Sequence, residues 1–251
     1  MNYGMIRAAA ASLRLKVADP TYNKEKIKEA IDCAEQKGTR LIVLPELCVT
    51  GYTCADLFFT KSLQHSAENA LKEIIEYTSG KNIVAAVGMP VPFYNSLYNC
   101  AVVIGNGRIY GIVPKIHLAN YNEFYEKRWF ASGSDFKSCQ NIDFCGFETT
   151  IGPQIFDLGG GAVLGLELCE DLWVPSPPSS SLTLGGANII ANLSASDEYV
   201  SKAQYRRDLV SNQSARCICA YVYSGAGVCE STTDLVFSGA TLIAENGSVI
   251  A

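Results

Sequence analysis

Short runs of consecutive apolar residues punctuate this chain: LIVLP at 41–45, IVAAVG at 83–88, AVLGLELC at 162–169, ANIIANLSA at 187–195 and CAYVYSG at 219–225. A strand that is apolar on both sides must be covered on both faces, so these runs demand a sheet with further layers packed on it. Helical spacing falls between them. Ile27, Ala30, Ile31 and Ala34 mark one face of a helix over 23–37, with Gly38 as its stop. Leu63, Ala67, Ala70, Leu71, Ile74 and Ile75 mark a second over 61–79, and 199–216 reads as a third. Residues 5–12 are expected to form the first strand. YNCAVVIG followed by NGRIYGIVPK predicts a hairpin about Asn106-Gly107, and ATLIAENGSVI at 240–250 predicts another. Strand–helix alternation mixed with hairpins implies a mixed sheet with helices outside. VPSPPSSS at 174–181 reads either as a Pro/Ser surface loop or, since it follows a strand-ending cysteine, as a loop beside a site.

The 251 residues suit one large domain or two small ones, and 48% apolar with 18% charged residues excludes intrinsic disorder. A net charge of −5 argues against a phosphate-binding, nucleic-acid surface. No apolar run approaches the roughly 18 residues of a membrane span. The N-terminal alanine run is short and followed by Arg14 and Lys16, unlike a secretory leader. The ten cysteines show no Cys-x-x-Cys spacing, and the two histidines, His65 and His117, lie far apart. Zinc ligation and a disulfide scaffold are both poorly supported, leaving buried free thiols in a reducing cytoplasm as the expectation.

Three polar residues stand at the ends of apolar runs: Glu46 after LIVLP, Lys115 after GIVP and Cys169 after LGLEL. Strand ends are where α/β proteins build their sites. Taken alone, Glu46 reads more readily as a solvated carboxylate, Lys115 as a surface charge and Cys169 as a buried thiol. Together they are a base, a cation and a nucleophile, the inventory of acyl transfer. His65 lies within a helix and His117 reads as wall packing, so a carboxylate is the more available base.

LPELCVTGY at 44–52, PKIHL at 114–118 and LCEDLW at 168–173 resemble, in order, the three signatures of the nitrilase, or carbon–nitrogen hydrolase, superfamily. YNEFYEKRWFASG at 121–133, with CEDLW, resembles the glutaminase domains of glutamine-dependent NAD synthetases. The resemblance implies a four-layer α–β–β–α sandwich spanning 1–251, face-to-face pairing into a homo-oligomer, and glutamine as substrate. It implies Glu46 as general base, Cys169 as thioester-forming nucleophile, and Lys115 with the Glu170 backbone N–H at the oxyanion. Glu126 would be the supporting second glutamate. Tyr52, Tyr121, Glu170, Ser196 and Lys202 fall where such domains contact glutamine, although Asp197 and Ser201 stand where the family usually has Pro and Gly. A nearby lysine favours a thiolate, and a glutamate can take the proton.

No metal or cofactor is implied for this domain. ATP and Mg²⁺ would belong to a separate synthetase domain, and the chain is expected to be part of a longer protein. Gly159-Gly160-Gly161 reads as a turn between strands, not a phosphate loop. Two other readings stay open: a stand-alone amidase of another ω-amide or carbamoyl compound, and a non-catalytic assembly module.

Overall fold

The computed structural model describes residues 5–251. Two sheets form. The first joins β1 (Ala8–Ala10), β2 (Leu41–Val43), β3 (Val84–Phe93), β4 (Ser96–Gly105), β5 (Arg108–Pro114), β6 (Gln140–Phe144) and β7 (Phe147–Ile151) in the order β1-β2-β3-β4-β5-β7-β6. The second joins β8 (Ile155–Asp157), β9 (Val163–Leu168), β10 (Ile189–Ser194), β11 (Ala220–Gly225), β12 (Thr241–Glu245) and β13 (Ser248–Val249) in the order β13-β12-β11-β10-β9-β8. β1-β2-β3 and β9-β10-β11 are parallel, and hairpins extend each set.

The doubly apolar runs account for the layering. Leu41 and Val43 face the second sheet, packing with Leu164, Leu166, Ile189, Ala191 and Leu193. Ile42 and Leu44 point the other way, onto Ile27 and Ile31 of α1 (Pro20–Gln36) and Leu71 and Ile74 of α2 (Lys61–Tyr77). On the far side, Ile190 and Tyr221 meet Leu182 of α4 (Pro178–Leu184) and Val210 of α5 (Lys202–Cys217). The result is the implied α–β–β–α sandwich.

Asp19 caps α1 by accepting from the Tyr22 N–H at 3.0 Å, so that helix starts before the apolar spacing does. At the Asn106-Gly107 turn both residues take positive φ (48° and 74°), as a two-residue hairpin requires. Asn246-Gly247 repeats the device (48° and 89°). Gly159–Gly161 all have positive φ, and Ala162 leads directly into β9, in keeping with a turn.

Several expectations need correction. The first strand is limited to Ala8–Ala10. β3 runs on to Phe93 and forms a hairpin with β4, and β6, β7 and β8 were not anticipated. Part of the Pro/Ser stretch is helix α4, with Pro178 in its first turn, where a missing N–H is harmless. All ten cysteines are free, but Cys33, Cys139 and Cys229 are exposed rather than buried. Among the described residues no helix is long and apolar enough to cross a membrane. The leader reading rests partly on residues 1–4, which lie outside the described residues.

Candidate active site

Glu46, Lys115 and Cys169 come together at one end of the two sheets. Glu46 leaves β2 through a turn that crosses β3 at Gly88. A Cβ there would lie 2.4 Å from the Leu47 nitrogen and 2.5 Å from the Pro45 oxygen, so only glycine lets the turn pass. Lys115 follows β5, and its carbonyl accepts from the Gly133 N–H at 2.7 Å. A Cβ on Gly133 would stand 2.8 Å from that same oxygen.

Lys115 Nζ donates to Glu46 Oε1 at 2.6 Å and to Glu126 Oε1 at 2.7 Å, with all three side chains out of solvent. Asn99 Nδ2 also donates to Glu46 Oε1, at 2.7 Å. Glu46 Oε2 is buried and has no hydrogen-bond partner. Tyr52 donates its hydroxyl to Glu126 Oε1 at 2.7 Å, and the Ala119 N–H donates to Oε2 at 3.2 Å. Glu126 opens the single turn of α3 (Glu126–Trp129), too short to stand alone. Arg128 and Trp129 fasten that turn to Asp56, Arg128 through both carboxylate oxygens, at 2.7 and 2.8 Å.

Burial alone would push the Lys115 ammonium down, but Glu126 and Glu46 outweigh it and hold it well above the usual lysine value. Burial pushes the Glu126 carboxyl up against the pull of Lys115. One ammonium therefore faces two carboxyl groups, and each of its bonds to them is charge-assisted.

Cys169 opens a tight turn, Cys169–Leu172, directly after β9, with φ +42°. This is left-handed backbone, disfavoured for a residue with a Cβ. The Cys169 N–H donates to Asn192 Oδ1 at 3.2 Å. Burial, reinforced by Glu46, pushes the thiol far above the ordinary cysteine value despite Lys115. Desolvation of an anion thus outweighs the pull of one lysine already shared by two carboxyls, which favours the thiol form and leaves the proton to be taken by a base during attack.

Tyr121 donates its hydroxyl to Glu170 Oε2 at 2.9 Å. Lys202, buried, is hydrogen-bonded to Asp197 and lies 5.2 Å from the Trp173 ring centroid. Ser196 is buried nearby in sequence, after β10. Tyr52, read as a substrate contact, is buried with its hydroxyl donated to Glu126. His117 is half-buried, which lowers its pKa, and His65 is exposed on α2. A surface cleft of about 500 Å³ lined by Phe59, Tyr94, Lys127 and Trp129 includes none of Glu46, Lys115 or Cys169.

Residues that the sequence reading passed over complete the arrangement. Asn99 and Asn192 are polar residues inside apolar runs, a visible signal. Glu230, fully buried, accepts from the Tyr52 N–H at 2.6 Å, and nothing local in its surroundings announces it.

A buried thiol on a strained strand-end turn, beside an acid–lysine–acid cluster, is equipment for nucleophilic attack on a carbonyl-type centre. The sequence model for carbon–nitrogen hydrolases matches residues 7–251, and the chain belongs to that family. It is 38% identical over 253 residues to the glutamine-dependent NAD(+) synthetase of Mycobacterium bovis, covering 100% of this chain and 37% of that protein. The crystal structure of a glutamine-dependent NAD(+) synthetase from Cytophaga hutchinsonii superposes with TM-score 0.88 at 30% identity, over 98% of this chain and 40% of that one. An amidase from Nesterenkonia sp. shares the fold at TM-score 0.78 and 18% identity, over 98% of this chain and 84% of that one. The chain thus spans little more than a third of the length of the curated relatives it matches.

Proposed function

We propose that this chain is the glutamine-hydrolysing part of a glutamine-dependent NAD synthetase, releasing ammonia through a Cys169 thioester. The observation that carries the reading is the free, buried Oε2 of Glu46 in the same cluster as the buried Cys169 thiol, whose pKa burial raises. A base whose Oε1 is already fixed, and whose Oε2 is unoccupied, is ready to take a proton.

As Sγ attacks the side-chain amide carbon, its proton passes to Glu46 and the carbonyl oxygen becomes an oxyanion. Lys115 uses two of its three N–H bonds on carboxylates, leaving the third for that oxyanion. The Cys169 N–H is taken by Asn192, so the backbone donor is the Glu170 N–H. Each such donor contributes on the order of 3 kcal/mol at the transition state. Glu46 returns its proton to the departing nitrogen, which leaves as ammonia. Water, deprotonated by Glu46, then attacks the thioester; glutamate leaves and the thiol regains its proton.

Glutamine is favoured as substrate by the relatives' names and by Tyr121, Glu170, Ser196 and Lys202 standing where related domains contact it. Lys202 would have to exchange Asp197 for the substrate carboxylate. The ammonia would serve ATP- and Mg²⁺-dependent amidation of nicotinic acid adenine dinucleotide in a further domain, in an oligomeric cytoplasmic enzyme.

The test is ammonia release from glutamine by the purified chain and its Cys169→Ala variant. Hydrolysis should be lost in the variant with its circular dichroism unchanged, and other ω-amides should be poorer substrates. Residual turnover above a trace in Cys169→Ala would overturn the mechanism. A strong preference for another amide would overturn the substrate.

A further inference from the structure

Asp171 is buried, at 1% exposed, and meets no cation among the described hydrogen bonds and ion pairs. Its carboxylate instead collects backbone N–H groups from two separate strand ends. Oδ2 accepts from Leu168 at 3.0 Å, the last residue of β9 and the one before Cys169. Oδ1 accepts from His117 at 2.7 Å, and Oδ2 also lies 3.4 Å from the Ile116 nitrogen, both just beyond Lys115. β9 belongs to the second sheet and β5 to the first, and between these ends there is no backbone pairing. One carboxylate thus spans the junction where the nucleophile-bearing turn meets the lysine-bearing loop.

Side-chain packing between sheets fixes their separation loosely. Charge-assisted bonds to backbone are shorter and about twice as strong as neutral ones, and they hold it more tightly. A misplacement near 1 Å reduces turnover by about 100-fold. We infer that Asp171 is a positioning residue that holds the Cys169 turn and the Lys115 loop in mutual register for the reaction. It makes no hydrogen bond to thiol or ammonium and acts through the backbone N–H groups beside each residue. The inference rests on the proposed Cys169 chemistry.

Asp171→Asn keeps the volume but presents an NH₂ to N–H donors, so one of the two strand ends must be released. Glutamine hydrolysis in the variant should show kcat down by about 10- to 100-fold with KM changed by less than about threefold. Iodoacetamide should label Cys169 at an altered rate. Ile27→Ala, a core change on the buried face of α1 far along the chain, serves as a stability control: it should lower the melting temperature and leave kcat intact. A wild-type kcat in folded Asp171→Asn, or a loss matched by Ile27→Ala, would overturn the inference. An inactive wild-type chain would instead count against the proposed function. Hydrogen exchange on the unaltered chain is the second measurement and does not depend on the variant folding. The Leu168 and His117 amides should open together with one free energy, and clearly different values would overturn the clamp.

Discussion

The two sheets bury their acids in opposite ways. On the first, Glu46 and the neighbouring Glu126 share the ammonium of Lys115, so charge is met by charge. On the second, Glu167 of β9 is equally buried but meets only hydrogen-bond donors: the Tyr221 hydroxyl at 2.5 Å and the Ser179 N–H at 2.7 Å. Burial lifts its pKa to about 7, while those two bonds pull it back down. The first sheet therefore keeps a fixed ionic template, and the second keeps a near-neutral polar network running from Glu167 through Tyr221 and Asn192 to the Cys169 N–H. The difference divides the labour: side-chain charges define where protons and oxyanions go, and backbone restraint defines where the thiol points.

The sharpest way to break the contrast is Lys115→Met, which leaves two buried carboxyls with no cation. Removing one partner of a buried ionic group typically costs about 3–5 kcal/mol. Stability should fall by that order in chemical denaturation, and glutamine hydrolysis should fall by about 100-fold or more. A variant as stable and active as the parent would mean the ionic template is not needed.

Gly88→Ala probes the same template through the backbone. The new Cβ meets the Pro45–Leu47 backbone, which cannot swing aside as a side chain would. Overpacking of this kind costs about 1–3 kcal/mol. Displacement of Glu46 should lower kcat by roughly tenfold or more, given the steep dependence on alignment. Ammonia release and thermal melting of the variant check both arms, and an unchanged kcat would show that the Glu46 turn tolerates movement.

The sequence made the template more legible than the network. LIVLP, GIVP and LGLEL are local patterns, and each delivers its polar residue at a strand end, so Glu46, Lys115 and Cys169 could be singled out from neighbours alone. The pairing of Tyr52 with Glu126 joins residues 74 apart and has no local trace. β6 and β7 were invisible because QNIDF and FETTI mix polar and apolar residues at half-exposed positions. α4 was hidden by its Pro/Ser composition: its N-terminus is stabilised by Glu167 accepting from Ser179, a tertiary bond that propensity does not register. The raised pKa of Cys169 comes first from burial, which pattern does not measure.

The smallest expected effect concerns Glu167 itself. Its folded-state pKa is about 7 against an ordinary value of 4.5. Between those values the folded chain keeps a proton that the unfolded chain releases. Stability from this group is therefore present at pH 4.5 and below and is lost as pH rises to 7. Glu230, lifted to about 7 by burial, and Asp171, lifted to about 6 by burial, act in the same direction. Glu167→Gln removes one contributor. Its amide oxygen can still accept from Tyr221, while the lost bond to Ser179 lowers stability by an amount independent of pH. The melting temperature of the variant relative to the parent should therefore rise between pH 5 and pH 8. The change should be a few degrees at most, since two other acids keep their slopes. Parallel melting curves across that range would mean that Glu167 is ionised when buried, and the contrast between the two sheets would fail at its second half.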